Sequence, residues 1–372
     1  MRYSLLLLVS LVGCTTSTRL DAAVGSDGGP ATVDAGVDAG PPVLVDAGPP
    51  DPLCGCTPGD HNARIYLMSQ DAELYTFDPV TLETELVVGP VCATGESPYS
   101  MAVDPGGRAW ILFSDSRRMQ TIDVNDLGAC EDSGYLPTEA RLPLFGMGFV
   151  ERDDGCSDLY GMSYSGDGAF SEGPDLGVLA RIAGDPPRAT ILTSTDYDGG
   201  ELTGTGDGRL FAFTGNDPAK LVEYDPDDGA VVEILPLDGF SKTNASAFAF
   251  FGGDLWLFTE SLGEGCGECF DANCATAWTD CQADATCSEA VDCAIEQGSV
   301  TDECGGFAGA DMLMCLDTCS DQCLVSLRAR VSQVTRIDWD ESDGPGRART
   351  LVVPRLPIRV VGAGTSPCVP LI

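Results

Sequence analysis

Sulfur and carboxylate dominate the reactive side chains of this 372-residue chain, which carries seventeen cysteines, 58 Asp+Glu, 20 Lys+Arg and a single histidine, His61. Nucleophilic catalysis needs a hydroxyl or thiol beside a base. Ser97, Ser100 and Ser246 lie near apolar strands, but His61 precedes the first ordered strand and reads as an exposed turn residue, so none of these serines gains a base. Two acidic runs offer hard oxygen ligands, Asp338-Trp339-Asp340-Glu341-Ser342-Asp343-Gly344 and Asp225-Pro226-Asp227-Asp228-Gly229. In the first, glycine stands seventh rather than sixth and no glutamate fills position twelve of a calcium loop. Both read as ordinary acidic hairpin turns, with nothing beyond weak, non-specific calcium binding. Gly204-Thr205-Gly206-Asp207-Gly208 joins two strands and opens no helix, so it is not a phosphate loop. Asn244-Ala245-Ser246 matches the glycosylation triplet and is read as accidental. No catalytic residue, cofactor site or metal site is expected. A net charge of -38 repels phosphate backbones and excludes nucleic acid as a partner.

The cysteine nearest the N-terminus stands apart. Residues 1–13 show one arginine, Arg2, and then the apolar run Leu5-Leu6-Leu7-Leu8-Val9-Ser10-Leu11-Val12-Gly13. A bilayer-spanning helix takes about 20 apolar residues, so this run fits the core of a cleaved signal peptide. Its end, Leu11-Val12-Gly13-Cys14, resembles the bacterial lipobox. The resemblance implies a thioether-linked diacylglycerol on Cys14, which becomes the first mature residue and anchors the chain to a membrane. Thr15 in the second position resembles the outer-membrane class of such lipoproteins. From Cys14 to Leu53 the chain is almost all Ala, Asp, Gly, Pro, Thr, Ser and Val, with Val-Asp-Ala-Gly at 33–36, 37–40 and 45–48. So little apolar surface does not offset chain entropy, which predicts a disordered tether with a reach of roughly 35 Å.

Without Cys14 sixteen cysteines remain, an even number in an exported chain, which favours disulfides over metal-bound thiolates. Ten fall in one stretch: Cys266, Cys269, Cys274, Cys281, Cys287, Cys293, Cys304, Cys315, Cys319 and Cys323. Spacing there turns helical, and two or three short helices are expected near 271–283, 286–297 and 308–324. The unit is stapled because its own core is small. Cys266-x-x-Cys269 and the Cys315/Cys319/Cys323 trio are the zinc alternative, disfavoured by the oxidising setting and the lack of histidine. The other six, Cys54, Cys56, Cys92, Cys130, Cys156 and Cys368, are expected to form three further bridges.

Positioning these cysteines is a repeat. Apolar second strands carry Tyr66, Trp110, Tyr160, Phe211 and Trp256, at intervals of 44, 50, 51 and 45 residues. Third strands mostly end in aspartate (Asp78, Asp123, Asp225, Asp338), and fourth strands follow at 85–88, 188–192, 231–235 and 350–353. Four short strands every 45–50 residues make a β-propeller blade. The aromatic residues, at blade spacing, are expected to pack between neighbouring blades. The last segment, 358–364, reads as a first strand without a second, whereas the ordered region opens on a second strand without a first. Joining them closes the ring and places Cys368 beside Cys54 or Cys56, one of which is expected to bond it. Residues 54–372 less an insertion of about 66 leave about 51 per blade for five blades; six is the alternative if the 129–145 connection hides strands.

The expected organisation is a signal peptide over 1–13 and a lipidated tether over 14–53. An all-β propeller follows over 54–260 and 327–372, with a Cys-rich helical insertion over 261–326 in the last blade. The repeats resemble the bacterial extracytoplasmic propellers of the NHL, YVTN and quinoprotein-like superfamily. This implies fold and says little of function. The expected function is a non-enzymatic binding or scaffold protein of the cell envelope. It is anchored through its lipid, in the outer membrane (periplasmic face or cell surface), and meets a protein or glycan partner on the face bearing the insertion. A propeller enzyme, hydrolase or quinoprotein-like oxidoreductase, with a site in the central channel is the alternative.

Overall fold

The computed structural model describes residues 53–371 apart from 93–94, 166–170, 217, 239, 241–244, 301–303, 305–309 and 325–329. The signal segment, Cys14, the tether to residue 52 and Asn244 lie outside the described residues.

Five four-stranded antiparallel sheets form the five blades of a β-propeller. The first is composite. Its innermost strand is the last of the chain, β20 (Val360–Gly364), followed outward by β1 (Ile65–Ser69), β2 (Leu74–Phe77) and β3 (Thr84–Val88). Tyr66 pairs with Gly364 and Ser69 with Val360, so the ring closes as the two incomplete ends of the repeat require. The second blade is β4 (Pro98–Val103), β5 (Arg108–Phe113), β6 (Met119–Asp123) and β7 (Glu131–Asp132). The 129–145 connection thus supplies one two-residue outer strand, and the alternative of six blades falls. The third is β8 (Leu144–Glu151), β9 (Ser157–Tyr164), β10 (Ser171–Ala183) and β11 (Arg188–Asp198); the fourth is β12 (Gly200–Gly204), β13 (Leu210–Thr214), β14 (Lys220–Tyr224) and β15 (Val231–Pro236). The fifth is β16 (Ser246–Phe251), β17 (Asp254–Leu262), β18 (Arg330–Ile337) and β19 (Arg349–Val353).

Second-strand aromatics fill the seams between blades. Trp256 meets Phe77 edge-on at 5.7 Å, Trp110 meets Phe149 at 5.8 Å, and Phe211 stacks on Phe250 at 6.5 Å. Tyr66 and Tyr160 are buried in clusters that also span two blades. The innermost strands approach so closely that side chains are excluded. A Cβ on Gly146 would stand 2.0 Å from the Gly200 carbonyl oxygen, and one on Gly204 2.1 Å from that of Phe149. Hydroxyls stitch these strands together. Ser100 Oγ accepts from the Met147 N–H (3.2 Å), Thr203 Oγ1 from that of Phe250 (3.0 Å), and Thr365 Oγ1 donates to the Phe250 carbonyl (2.9 Å).

Among the described residues five helices separate β17 from β18, against the two or three expected from the sequence: α1 (Glu264–Asn273), α2 (Ala275–Gln282), α3 (Ala285–Gln297), α4 (Ala310–Thr318) and α5 (Ser320–Cys323). The earliest begins seven residues before the expected 271, because its glycines and acids carry no apolar period. Elsewhere helix ends follow local chemistry. The Asp284 side chain caps α3 by accepting from the Thr286 and Cys287 N–H groups, and Gly298 ends it in the left-handed region, φ 66°.

Candidate functional site

Antiparallel order inside each blade divides its turns between two ends of the ring. Turns from first to second and third to fourth strand lie where the inner strands finish. Turns from second to third strand, and crossings to the next blade, lie where the inner strands start. The helical insertion, a second-to-third connection, therefore sits at the starting end.

The first and last described segments both belong to the finishing end. Leu53 accepts from the Ser157 N–H, Gly55 donates to Gly155, and Thr57 donates to Pro105, all in first-to-second turns. The C-terminal segment does likewise, Gly252 donating to Pro370. Two disulfides secure this lacing, Cys54–Cys156 and Cys56–Cys368. Here His61 departs from the sequence reading. It is fully buried, with Nδ1 3.0 Å from Asn125 Oδ1 and Nε2 3.3 Å from the Pro105 carbonyl oxygen. The segment that carries it folds against the second blade instead of preceding the fold as a free turn. A third bridge, Cys92–Cys130, completes the propeller set.

At the starting end the ring offers a hydroxyl, a carboxylate and two phenols. Ser100 Oγ donates to Glu201 Oε2 at 2.8 Å, and Tyr99 and Tyr164 stack nearly parallel with centroids 5.9 Å apart. Burial, and then the Glu201 carboxylate, push the Tyr99 phenol well above its ordinary value. Because Ser100 also accepts from Met147, it clasps β4, β8 and β12 together. That satisfies buried polar groups and spends the hydroxyl on structure. His61 and Ser100 belong to opposite ends of the second blade, so the structure does not bring the only histidine to this serine. Ser97 uses its carbonyl to accept from Ser114, and Ser246 opens β16 as a buried residue.

The insertion beside this end is a disulfide ladder. Cys266–Cys323, Cys269–Cys319 and Cys274–Cys315 tie α1 to α4 and α5, Cys281–Cys287 ties α2 to α3, and Cys293–Cys304 secures the end of α3. The Cys-x-x-Cys pair and the helical trio are consumed in these bridges and leave no thiolate for zinc. Phe270, Val291, Met312 and Leu316 form the core beneath. Between Glu260 and Cys323 stand fourteen acidic residues and no basic one. Arginines of the ring hold this negative unit: Arg330 pairs with Asp292 and Arg355 with Asp271 (3.8 Å), while Arg359 pairs with Glu260 of β17 (2.6 Å). Beside the Arg355–Asp271 pair an open groove of about 470 Å³ is lined by Asp271, Asn273, Asp280, Asp311, Met314 and Thr318. Met314 is 61% exposed at its rim. Composition showed the charge of this region; the groove depends on helix order, which ten cysteines left open.

No protein-family model matches the chain, and no curated protein does. Solved structures similar to parts of it include virginiamycin B lyase from Staphylococcus aureus, at 16% identity and TM-score 0.30 over 52% of this chain and 61% of that one. A luciferin-regenerating enzyme is 14% identical with TM-score 0.35, over 56% of this chain and 69% of that one. A chain of the nidogen/laminin complex is 10% identical with TM-score 0.33, over 53% and 85%. The described chain thus corresponds to about three fifths of the S. aureus lyase. Eight disulfides mark an extracytoplasmic protein, and no helix among the described residues is long and apolar enough to cross a membrane.

Proposed function

We propose that this chain is a non-enzymatic binding protein of the cell envelope, held by a lipid on Cys14, whose acidic helical insertion docks a basic surface of a protein partner. The carrying observation is polarity. The insertion occupies the end of the ring opposite the one where the described chain enters at Leu53, so the entering segment does not cover it. Charge names the partner's chemistry. The groove combines three aspartates with an exposed methionine, which suits lysine and arginine side chains flanking an apolar contact. An enzyme site at the channel would need an accessible nucleophile, and Ser100, whose hydroxyl donates to Glu201, is fully buried and also accepts from the Met147 N–H.

The test replaces residues 263–329 with a short Gly/Ser linker. The ring should still fold, as judged by circular dichroism and cooperative melting. The partner captured by cross-linking wild-type cells should be lost, and wild-type capture should weaken as salt rises. Undiminished capture by the deleted ring would place the contact elsewhere. Turnover by purified wild-type protein that a Ser100→Ala variant abolishes would favour the enzyme instead.

A further inference from the structure

The repeat places an arginine at one position in three blades, and the third and fifth blades depart from it. Where the second strand starts, beside the end of the third, the first blade sets Arg64 against Asp78 and the second sets Arg108 opposite Asp123. The fourth joins Arg209 to Glu223 through two 2.8 Å bonds. In the third blade the residue is Asp158, compensated by Arg152 at 3.4 Å and Arg181 at 3.5 Å. In the fifth it is Asp254, and the third strand still ends in an aspartate, Asp338.

The result is a concentration of negative charge inside a turn. Asp254, Asp338 and Asp340 each present an oxygen within 4.8 Å of the others. Asp338 is 1% exposed and Asp254 8%. One Asp254 oxygen, Oδ1, is buried without a hydrogen-bond donor among the described residues, and the other lies 3.7 Å from Arg336, beyond hydrogen-bond range. Arg336 gives its closer contact to Asp343. Neighbouring parts hold the carboxylates in place. Trp339, between Asp338 and Asp340, packs edge-on against Phe211 of the fourth blade at 5.0 Å, beneath the Arg347 guanidinium at 3.7 Å. Gly253, at φ +83°, leaves the space that Asp340 fills, for a Cβ there would stand 2.2 Å from Asp340 Oδ2. Burial, opposed by Arg336 but reinforced by Asp340, Asp338 and Asp343, pushes the Asp254 carboxyl up to about 6.

We infer that Asp254, Asp338 and Asp340 form a binding site for a hard divalent cation of the calcium class. Calcium takes 6–8 oxygens at about 2.3–2.6 Å, so oxygens around one ion lie at most about 5 Å apart, as these do. A cation here supplies the unpartnered Asp254 oxygen with the contact it lacks and neutralises charges that Arg336 leaves over. The exposed side, at Asp340, leaves room for water to complete the shell. The sequence reading of 338–344 as an ordinary turn lacked Asp254, which arrives from 84 residues upstream through strand pairing. The site lies at the end of the ring opposite the insertion and stands independently of the proposed docking function.

Calorimetric titration of the EDTA-stripped full chain with calcium chloride, in about 0.15 M salt to screen diffuse attraction, tests the assignment. One saturable ion per chain is expected, with a Kd of about 10⁻⁴–10⁻³ M, the range of extracellular modules. Asp340→Asn, at an exposed carboxylate and keeping an oxygen to accept from the Ser342 N–H, should weaken binding at least tenfold. Asp225→Asn, in the equivalent turn of the fourth blade, should leave it unchanged. Absence of a saturable site, or unchanged binding by Asp340→Asn, would overturn the assignment. So would equal weakening by Asp225→Asn, which would mark attraction to the acidic surface as a whole.

Discussion

Removing the Cys56–Cys368 bridge by the double substitution Cys56→Ser/Cys368→Ser tests ring closure directly. The two residues are 312 apart in sequence, but other bridges shorten the loop this one closes in the unfolded chain. Cys54–Cys156 and Cys266–Cys323 provide shortcuts that reduce the shortest covalent circuit to roughly 160 residues. Because loop entropy grows only with the logarithm of length, the chain-entropy estimate falls little, to about 5 kcal/mol. Measured losses run below that figure, so a decrease of about 3–5 kcal/mol is expected. The comparison is Cys281→Ser/Cys287→Ser, whose bridge spans 6 residues and for which the same relation gives about 2 kcal/mol. Urea unfolding followed by tryptophan fluorescence measures both. Equal losses in the two variants, or a loss under 1 kcal/mol for the first, would refute the closure argument.

Three further outcomes follow from the interior. Gly146→Ala drives a methyl into the Gly200 carbonyl, and urea unfolding should show a loss of at least about 1–3 kcal/mol, far more than at an exposed glycine such as Gly128. His61→Ala leaves the buried Pro105 carbonyl oxygen without its ring contact and opens a cavity, costing about 1–3 kcal/mol in the same assay while leaving partner capture intact. Asp104, whose carboxyl burial raises despite bonds from the Trp110 indole and the Arg108 and Gly106 amides, gives a pH signature. A raised folded-state value means the folded chain holds the proton more tightly, so stability falls as pH rises from about 4 towards neutrality. Asp104→Asn removes this component, and denaturation at pH 4 and pH 7 should show the wild type losing ground to the variant; a constant gap would contradict it.

Periodic features were legible in the sequence, and singular ones were not. The aromatic residues at 44–51-residue intervals marked the blades because a propeller repeats the same inter-blade seam, and every one of those rings lies in such a seam. The incomplete ends at Ile65 and Val360 were legible for the same reason, since a repeat announces its missing member. His61 was misplaced because nothing periodic governs the segment before β1; its burial depends on turns at Pro105 and Asn125, each more than 40 residues away. The helix count in the insertion was missed because disulfides replace the apolar stripe by which helices are usually recognised.

The departures from the repeat carry the molecule's individuality, and they fall at opposite ends. At the end where inner strands start, one second-to-third turn has grown into an acidic helical unit that the ring holds with Arg330 and Arg355. Arg330 opens β18 and Arg355 follows β19, so both arginines are placed by the same blade that hosts the insertion. At the finishing end, Asp254 stands where three other blades use arginine, and the carboxylates it joins sit beside the C-terminal segment that the Cys56–Cys368 bridge retains. Blade geometry alone requires neither change, since the first and fourth blades form without them. Selection on folding therefore explains the repeat, whereas the two exceptions are where the proposed ligands fall, a basic surface at one end and a small cation at the other.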